Sequence, residues 1–234
     1  MLTTEGSMIE IGKIADRFDV DFRTMWFDYG GHPKRKLGDP KWGIGDYFNL
    51  CRTSEINRNL EKLLKEDYDV IALGGIALEA FPDDIRKKIH DKVSAGTGLV
   101  TVGQDRADEL FGFVRGEGRA LGVPTRKTDF LESIPLEVFP KDYVLRFQPT
   151  GTVHAECAGT PYVFEDKIGK GRHVALLYWA VGGSNANYSP RGGFTPCLSD
   201  FYPDRAAPAD EFYMLVAKAM LHAAGRESPH QLAK

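Results

Sequence analysis

The segment His154-Ala155-Glu156-Cys157 places a histidine, a carboxylate and a thiol within four residues. Such a set could support nucleophilic chemistry, because an imidazole oriented by a carboxylate can activate a thiol. The segment lies in a predicted strand, where His154 and Glu156 share one face and Cys157 points to the other. This arrangement favours the alternative interpretation, a half-exposed strand whose charged side chains form a cross-strand salt pair.

Other familiar patterns of metal or cofactor binding are missing from the sequence. The six histidines, at positions 32, 90, 154, 173, 222 and 230, show no ligand spacing. The three cysteines, at 51, 157 and 197, lie far apart without a CxxC pair, so neither a zinc site nor a disulfide framework is indicated. The glycines at 116, 118 and 122 depart from the dinucleotide fingerprint by one residue, and there is no P-loop. We therefore predict no cofactor and no metal.

Composition narrows the function classes further. The chain has 234 residues, of which 42% are hydrophobic and 27% charged, as in a globular protein with a substantial core. A net charge of −3, without a basic patch, argues against a nucleic-acid partner. No apolar stretch is long enough to span a membrane and no signal peptide is visible. The prediction is a cytoplasmic protein if the chain is complete.

The elements that would position a site are clearest in one βαβ unit. Residues 69–73 form a continuous apolar run that ends in Gly74-Gly75, as expected of a strand covered on both faces. Pro82 opens a helix with apolar residues at helical spacing, and a second buried strand over 99–102 ends at Gly103. The unit predicts parallel strands joined by a right-handed crossover.

The rest of the chain is predicted to complete one domain over residues 1–234. Further predicted helices cover 7–16, 53–65 and 210–224, and further predicted strands cover 21–27, 143–147, 152–156, 162–166 and 173–179. Loop insertions are expected near 29–50 and 104–141. Either residues 1–4 supply a first strand, or the chain is a piece of a longer protein. The predicted fold is an α/β three-layer sandwich, flavodoxin-like or Rossmann-like, with a mostly parallel central sheet and antiparallel additions in the C-terminal half.

Three segments in this order resemble the class I glutamine amidotransferase-like superfamily. They are residues 68–75, the helix and strand over 85–102, and the turn Gly169-Lys170-Gly171-Arg172 leading into a strand. The similarity covers most of residues 19–227. It is strongest to branches that lack the catalytic cysteine and to related domains attached to carbohydrate-active proteins.

The resemblance implies where catalysis would occur in active members of the superfamily. There a cysteine sits on a sharp turn after a strand, and a histidine from a later loop accepts its proton. The matching turn here reads Gly103-Gln104-Asp105-Arg106, and the loop after residues 173–179 contains no histidine. The amide of Gln104 cannot act as a nucleophile, although the Asp105 carboxylate could. Glutamine hydrolysis by the family mechanism is therefore not expected.

The predicted function is a non-catalytic amidotransferase-like domain that binds a ligand or assembles with other domains of a larger protein, with a carbohydrate-related protein as the expected parent. The predicted ligand-binding residues are Gly74, Gly75, Gln104, Trp179 and Asn185. Trp26, Trp42 and Trp179 could stack on sugar rings, or pack in the core. The alternative is a hydrolase with a relocated site at the carboxyl edge of the sheet, built from Asp105, His154 and Glu156. The expected partners are a small molecule or carbohydrate, other domains or a second copy of the chain, but neither nucleic acid nor membrane.

Overall fold

The computed structural model describes residues 2–4, 12, 14–16, 18, 20–23, 25–27, 53–74, 78, 81–103, 108–112, 114–139, 142–148, 150–178 and 209–226. The strands are β1 (Leu2–Thr4), β2 (Met25–Phe27), β3 (Val70–Gly74), β4 (Gly98–Val102), β5 (Val114–Gly122), β6 (Pro124–Arg126), β7 (Asp142–Gln148), β8 (Thr152–Cys157), β9 (Thr160–Ile168) and β10 (Gly171–Leu176). The α-helices are α1 (Thr53–Leu63), α2 (Asp83–Ala95) and α3 (Ala209–Ala223). Residues 12 and 14–16 are also helical, within the predicted helix 7–16.

Eight strands form one mixed sheet in the order β2-β1-β3-β4-β10-β9-β8-β6. The first five strands of this order are mutually parallel. The last three are added antiparallel, each to its neighbour. The predictions of an α/β fold and of antiparallel additions in the C-terminal half are confirmed. Of the two alternatives for the start of the chain, the structure shows the strand, since β1 pairs with β2 on one side and β3 on the other.

The central strands are covered on both faces, which explains their continuous apolar sequences. All five residues of β4 are buried, as are four of the five in β3. One glycine allows the closest approach of a helix to this sheet. A Cβ added to Gly98 would lie 2.5 Å from the backbone carbonyl carbon and oxygen of Ala223 at the end of α3. Gly98 therefore lets α3 pack directly on the start of β4.

The helices cover opposite faces of the sheet, which gives three layers. Consecutive residues of a strand point to opposite faces. Arg172 in β10 reaches the carbonyl oxygen of His222 in α3, whereas its neighbour His173 reaches Phe111 on the other face. Phe111 packs in turn against His90 of α2. None of the helices in the described ranges is both long and apolar enough to cross a membrane.

The predicted apolar stripe of α2 is buried as expected. Ile85, Ile89 and Val93 are at most 1% exposed, and Pro82 stands at the N-cap of the helix. The equivalent buried face of α3 includes Phe212, Leu215, Val216, Ala219 and Met220. These faces form the core together with the side chains of the sheet.

Residues 104–141 contain more regular structure than the expected loop insertion. β5 pairs with β7 in a separate two-stranded sheet, and β6 is the edge strand of the main sheet. The register of β5 and β7 shifts between Arg115 and Arg119, where the sequence is rich in glycine and charge. This irregular stretch hides the alternation that would have predicted a strand. The other expected insertion, near 29–50, lies outside the described residues.

Candidate functional site

The first region of interest is the carboxyl edge of the parallel strands, where the resemblance placed the catalytic turn. β4 ends at Val102, and Gly103 follows in a left-handed conformation with φ of 68°. Its N–H donates to the carbonyl oxygen of Leu176 at the end of β10, at 2.9 Å. Gly74 is the last residue of β3, at the same edge. The other predicted site residues here, Gly75, Gln104, Asp105, Trp179 and Asn185, lie outside the described residues.

An ion pair fixes the chain just beyond this turn. Nη2 of Arg86, in α2, donates to both carboxylate oxygens of Asp108, at 2.9 and 2.8 Å. Asp108 is buried, and it also accepts a hydrogen bond from the N–H of Leu110 at the start of a short 3-10 helix. The bidentate contact from Nη2 holds the start of the 3-10 helix against α2, which indicates a structural role.

A second region brings two histidines onto one carboxylate. His154 in β8, Glu165 in β9 and His222 in α3 converge on the face of the sheet that α3 covers. Oε2 of Glu165 lies 3.0 Å from Nε2 of His154 and 2.7 Å from Nε2 of His222. These three ligand atoms all lie within 4.8 Å of one another. We call His154, Glu165 and His222 the His–Glu–His cluster.

A β-bulge positions His154 in the cluster. Val153 pairs with Phe164, and the next pair along the sheet is Ala155 with Val163, so that His154 is the extra residue. A bulge interrupts strict alternation and redirects side chains. Accordingly, His154 and Ala155 are both buried although they are neighbours.

Side chains around the cluster hold its rings in place. Oγ1 of Thr128 lies 2.7 Å from Nδ1 of His154. The ring of Phe130 packs against both imidazoles, with centroids 4.5 Å from His154 and 4.3 Å from His222. One edge of the cluster is thus apolar, while Glu165 provides the negative charge.

Glu165 is held in its ionised form. Burial alone would raise its pKa, but hydrogen bonds from His154 and His222, with the charges of His222 and Arg172, outweigh burial and hold this pKa well below its usual range. Nε of Arg172 lies 2.9 Å from Oε1, the oxygen that the imidazoles leave free. Nη1 of Arg172 also donates to the carbonyl oxygen of His222 at 2.8 Å. Arg172 therefore orients the carboxylate and joins it to the end of α3.

Another histidine, His173, is buried on the opposite face of the sheet. Its Nδ1 lies 3.1 Å from the carbonyl oxygen of Phe111, and its Nε2 lies 2.9 Å from Oγ1 of Thr101. Because a carbonyl only accepts, Nδ1 carries the proton and Nε2 accepts from the threonine hydroxyl. Burial lowers the pKa of His173 to about 4, although the Phe111 hydrogen bond and the charge of Asp166 act in the other direction. This histidine is a neutral part of the core.

The side chains of His154-Ala155-Glu156-Cys157, the segment that first suggested chemistry, have different partners or surroundings. His154 contacts Glu165, whereas Glu156 forms an ion pair with Nζ of Lys127 at 2.5 Å. Cys157 is buried and forms no disulfide bond within the part of the chain that the structure describes. Ala158 and Gly159, both at positive φ, form the tight turn between β8 and β9. That hairpin turn is the signal that could have predicted a strand partner for His154.

No known family model matches this sequence, and no curated protein matches it. Among solved structures, the chain is similar to the cytoplasmic protein STM3548 of Salmonella typhimurium, with 12% identity and a TM-score of 0.46 over 69% of this chain and 74% of that one. It is similar to the cytoplasmic protein STM1381 of Salmonella typhimurium LT2, with 14% identity and a TM-score of 0.44 over 70% and 74% of the two chains. The exo-beta-1,4-mannosidase Op5Man5 of Opitutaceae bacterium strain TAV5 matches with 18% identity and a TM-score of 0.40, over 64% of this chain and 25% of that one.

Proposed function

We propose that the chain is a class I glutamine amidotransferase-like domain without amidotransferase catalysis, which binds a ligand or assembles with other domains of a larger protein. The order of its parallel strands, β2-β1-β3-β4-β10, supports a flavodoxin-like sheet, since it corresponds to the order 2-1-3-4-5 of that fold. The observation that carries the proposal is the turn after β4. Gly103 bends the chain there, and the next residue is Gln104 where active members of the superfamily have cysteine.

The proposed ligand site is the carboxyl edge of the parallel strands. In open α/β sheets, ligands bind where the strand order reverses, which here lies between β1 and β3. Gly74, at the end of β3, presents no side chain at this edge. The residues that follow β10 include Trp179, an aromatic surface for a sugar ring, and Asn185, a hydrogen-bonding amide. A carbohydrate is therefore the first ligand class to test.

A glutaminase assay tests the absence of catalysis. We expect no ammonia release from glutamine by the purified chain, and none by Gln104→Ala or Asp105→Asn. Activity in the unaltered chain that disappears in either variant would refute the proposal. The control is Glu156→Gln, because Glu156 pairs with Lys127 away from the turn.

Calorimetric titration with a panel of sugars tests the ligand site. We expect Trp179→Ala to weaken any sugar binding by about 10-fold or more, as loss of an aromatic stacking contact does. Phe22→Ala removes another aromatic side chain, one that is 39% exposed, and should leave binding unchanged. Equal affinities of Trp179→Ala and the unaltered chain would exclude the proposed sugar contact.

A hydrolase with a relocated site is the second candidate, and one observation favours a version in which Thr128 and Glu165 stand beside His154 in place of the predicted Asp105 and Glu156. The Thr128 hydroxyl, the His154 imidazole and the Glu165 carboxylate lie in a hydrogen-bonded row, at 2.7 and 3.0 Å. A hydroxyl, a base and an orienting carboxylate are the parts of a nucleophilic hydrolase. Hydrolysis of activated esters that is lost in Thr128→Val but kept in Thr125→Val would support this candidate. Equal rates in both variants would exclude Thr128 as the nucleophile.

A further inference from the structure

We propose that the His–Glu–His cluster binds a divalent transition-metal ion, with Zn²⁺ as its best-fitting occupant. Nε2 of His154, Nε2 of His222 and Oε2 of Glu165 would be the three protein ligands. Two imidazoles and one carboxylate form the ligand set of many zinc sites that keep an open position. This inference is independent of the proposed ligand site at the carboxyl edge of the sheet.

The separation of the three atoms suits an ion after a small adjustment. Tetrahedral ligands about 2.1 Å from Zn²⁺ stand about 3.4 Å from one another. The two nitrogens now lie 3.0 and 2.7 Å from the carboxylate oxygen. Binding an ion would move the imidazoles about 0.4 and 0.7 Å away from the oxygen and bring the two nitrogens, now within 4.8 Å of each other, to about 3.4 Å.

The groups behind His154 and Glu165 match those found behind metal ligands. Zinc-bound histidines donate their second ring N–H to an oxygen, which fixes the ring. Thr128 Oγ1, 2.7 Å from Nδ1 of His154, is placed to accept that hydrogen bond. Arg172 holds Oε1 of Glu165 and leaves Oε2 to face the imidazoles.

The burial of the cluster allows both binding and exchange. The side chains of His154, Glu165 and His222 are 7%, 22% and 12% exposed. The site is therefore shielded enough to strengthen coordination, yet water can reach Glu165 and supply a fourth ligand. The charge of Arg172 opposes an incoming cation, so we expect moderate affinity. Because the ligands come from β8, β9 and α3, a bound ion would also tie the last helix to the sheet.

Calorimetric titration of EDTA-treated protein with Zn²⁺ tests the site. We expect the full chain to bind one equivalent of Zn²⁺. His154→Ala and His222→Ala should each weaken Zn²⁺ binding by at least about 10–100-fold, which is the loss seen when only a hydrogen-bond partner of a metal ligand is removed. Glu165→Gln should also lose affinity; His90→Ala is the matched control for the histidine variants and Glu156→Gln is the matched control for Glu165→Gln. Both controls should bind Zn²⁺ like the unaltered chain.

Two further measurements keep the test decisive if the alanine variants fail to fold. Thr128→Val, which removes only an outer hydroxyl, should weaken Zn²⁺ binding by about 10–100-fold. Co²⁺ substituted into the full chain should give visible absorption bands of nitrogen and oxygen ligation, without a thiolate charge-transfer band. The proposal is overturned if the full chain binds no Zn²⁺, if Thr128→Val and the folded alanine variants bind it as tightly as the controls, or if Co²⁺ reports thiolate ligands.

Discussion

Lowering the pH should destabilise the protein through His173. This imidazole is fully buried and neutral in the fold, where its pKa is about 4, whereas the ordinary value is 6.5. Between these two values the unfolded chain binds a proton that the folded chain does not. The contribution of neutral His173 to the free energy of unfolding is therefore fully present above pH 6.5, and it is lost as the pH falls towards 4.

The size of the effect follows from the difference of about 2.5 pH units. Each unit corresponds to about 1.4 kcal/mol, so His173 alone should lower the free energy of unfolding by about 2 kcal/mol at pH 5 and by about 3 kcal/mol at pH 4. Other groups also titrate in this range, so the unaltered chain must be compared with a variant that lacks the imidazole. His173→Gln keeps an amide that can hydrogen-bond and does not titrate.

Urea unfolding between pH 7 and pH 4 measures this difference. We expect His173→Gln to be less stable at pH 7, because it fits the hydrogen bonds to Thr101 and Phe111 less well. The difference in free energy of unfolding between the two proteins should narrow steadily below pH 6.5, because only the unaltered chain loses the contribution of neutral His173. Parallel pH dependences in the two proteins would refute the conclusion that His173 is neutral in the core.

Three further substitutions probe packing and ion pairs, each by urea unfolding at neutral pH. Gly98→Ala should cost about 2–3 kcal/mol, because the new methyl group meets the backbone of Ala223 at 2.5 Å. Asp108→Asn should cost about 2–3 kcal/mol, because it removes the buried carboxylate partner of Arg86, only 23% exposed, and leaves it the solvent-exposed carboxylate of Asp83. Arg226→Ala should cost less than about 1 kcal/mol, because its ion pair is exposed to solvent on both sides.

Gly12→Ala is the matched control for Gly98→Ala. Gly12 is helical, and a Cβ there meets no atom of the described residues within 4 Å. The change should stabilise the protein by up to about 1 kcal/mol. A Gly98→Ala protein as stable as Gly12→Ala would contradict direct packing of α3 on β4. Equal losses in Asp108→Asn and Arg226→Ala would contradict the role assigned to burial of the Asp108 pair.

The sequence predicted the parts of the fold that depend on local patterns. The apolar run at β3, the stripe of α2 and Gly103 after β4 are each contained in one short segment, and each corresponds to an observed feature. β5 was missed because its partner β7 lies farther along the chain and the pairing is irregular. Pairing energy between distant segments decided its conformation, as is common for strands.

The His–Glu–His cluster could not be predicted from residue spacing. Its members come from two strands and the last helix, and no local motif joins His154 to His222. The bulge at His154 also breaks the alternation from which strand faces are read. A hairpin pairing of β8 with β9 could have suggested Glu165, but the position of α3 depends on packing against the whole sheet.

The way in which β10 joins the sheet has a consequence for the order of folding. β8, β9 and β10 are consecutive in the chain. β9 pairs antiparallel with β8 on one side and with β10 on the other, so these contacts close only short loops. β10 must also pair with β4, which precedes it by all the strands from β5 to β9. We expect the three antiparallel strands to become protected early in refolding and β4–β10 pairing to come later, since closing longer loops is slower. Pulsed hydrogen exchange should therefore detect amide protection in β9 before β4. The antiparallel strands β8–β10 would then join the parallel strands through one strand pair, β10 with β4.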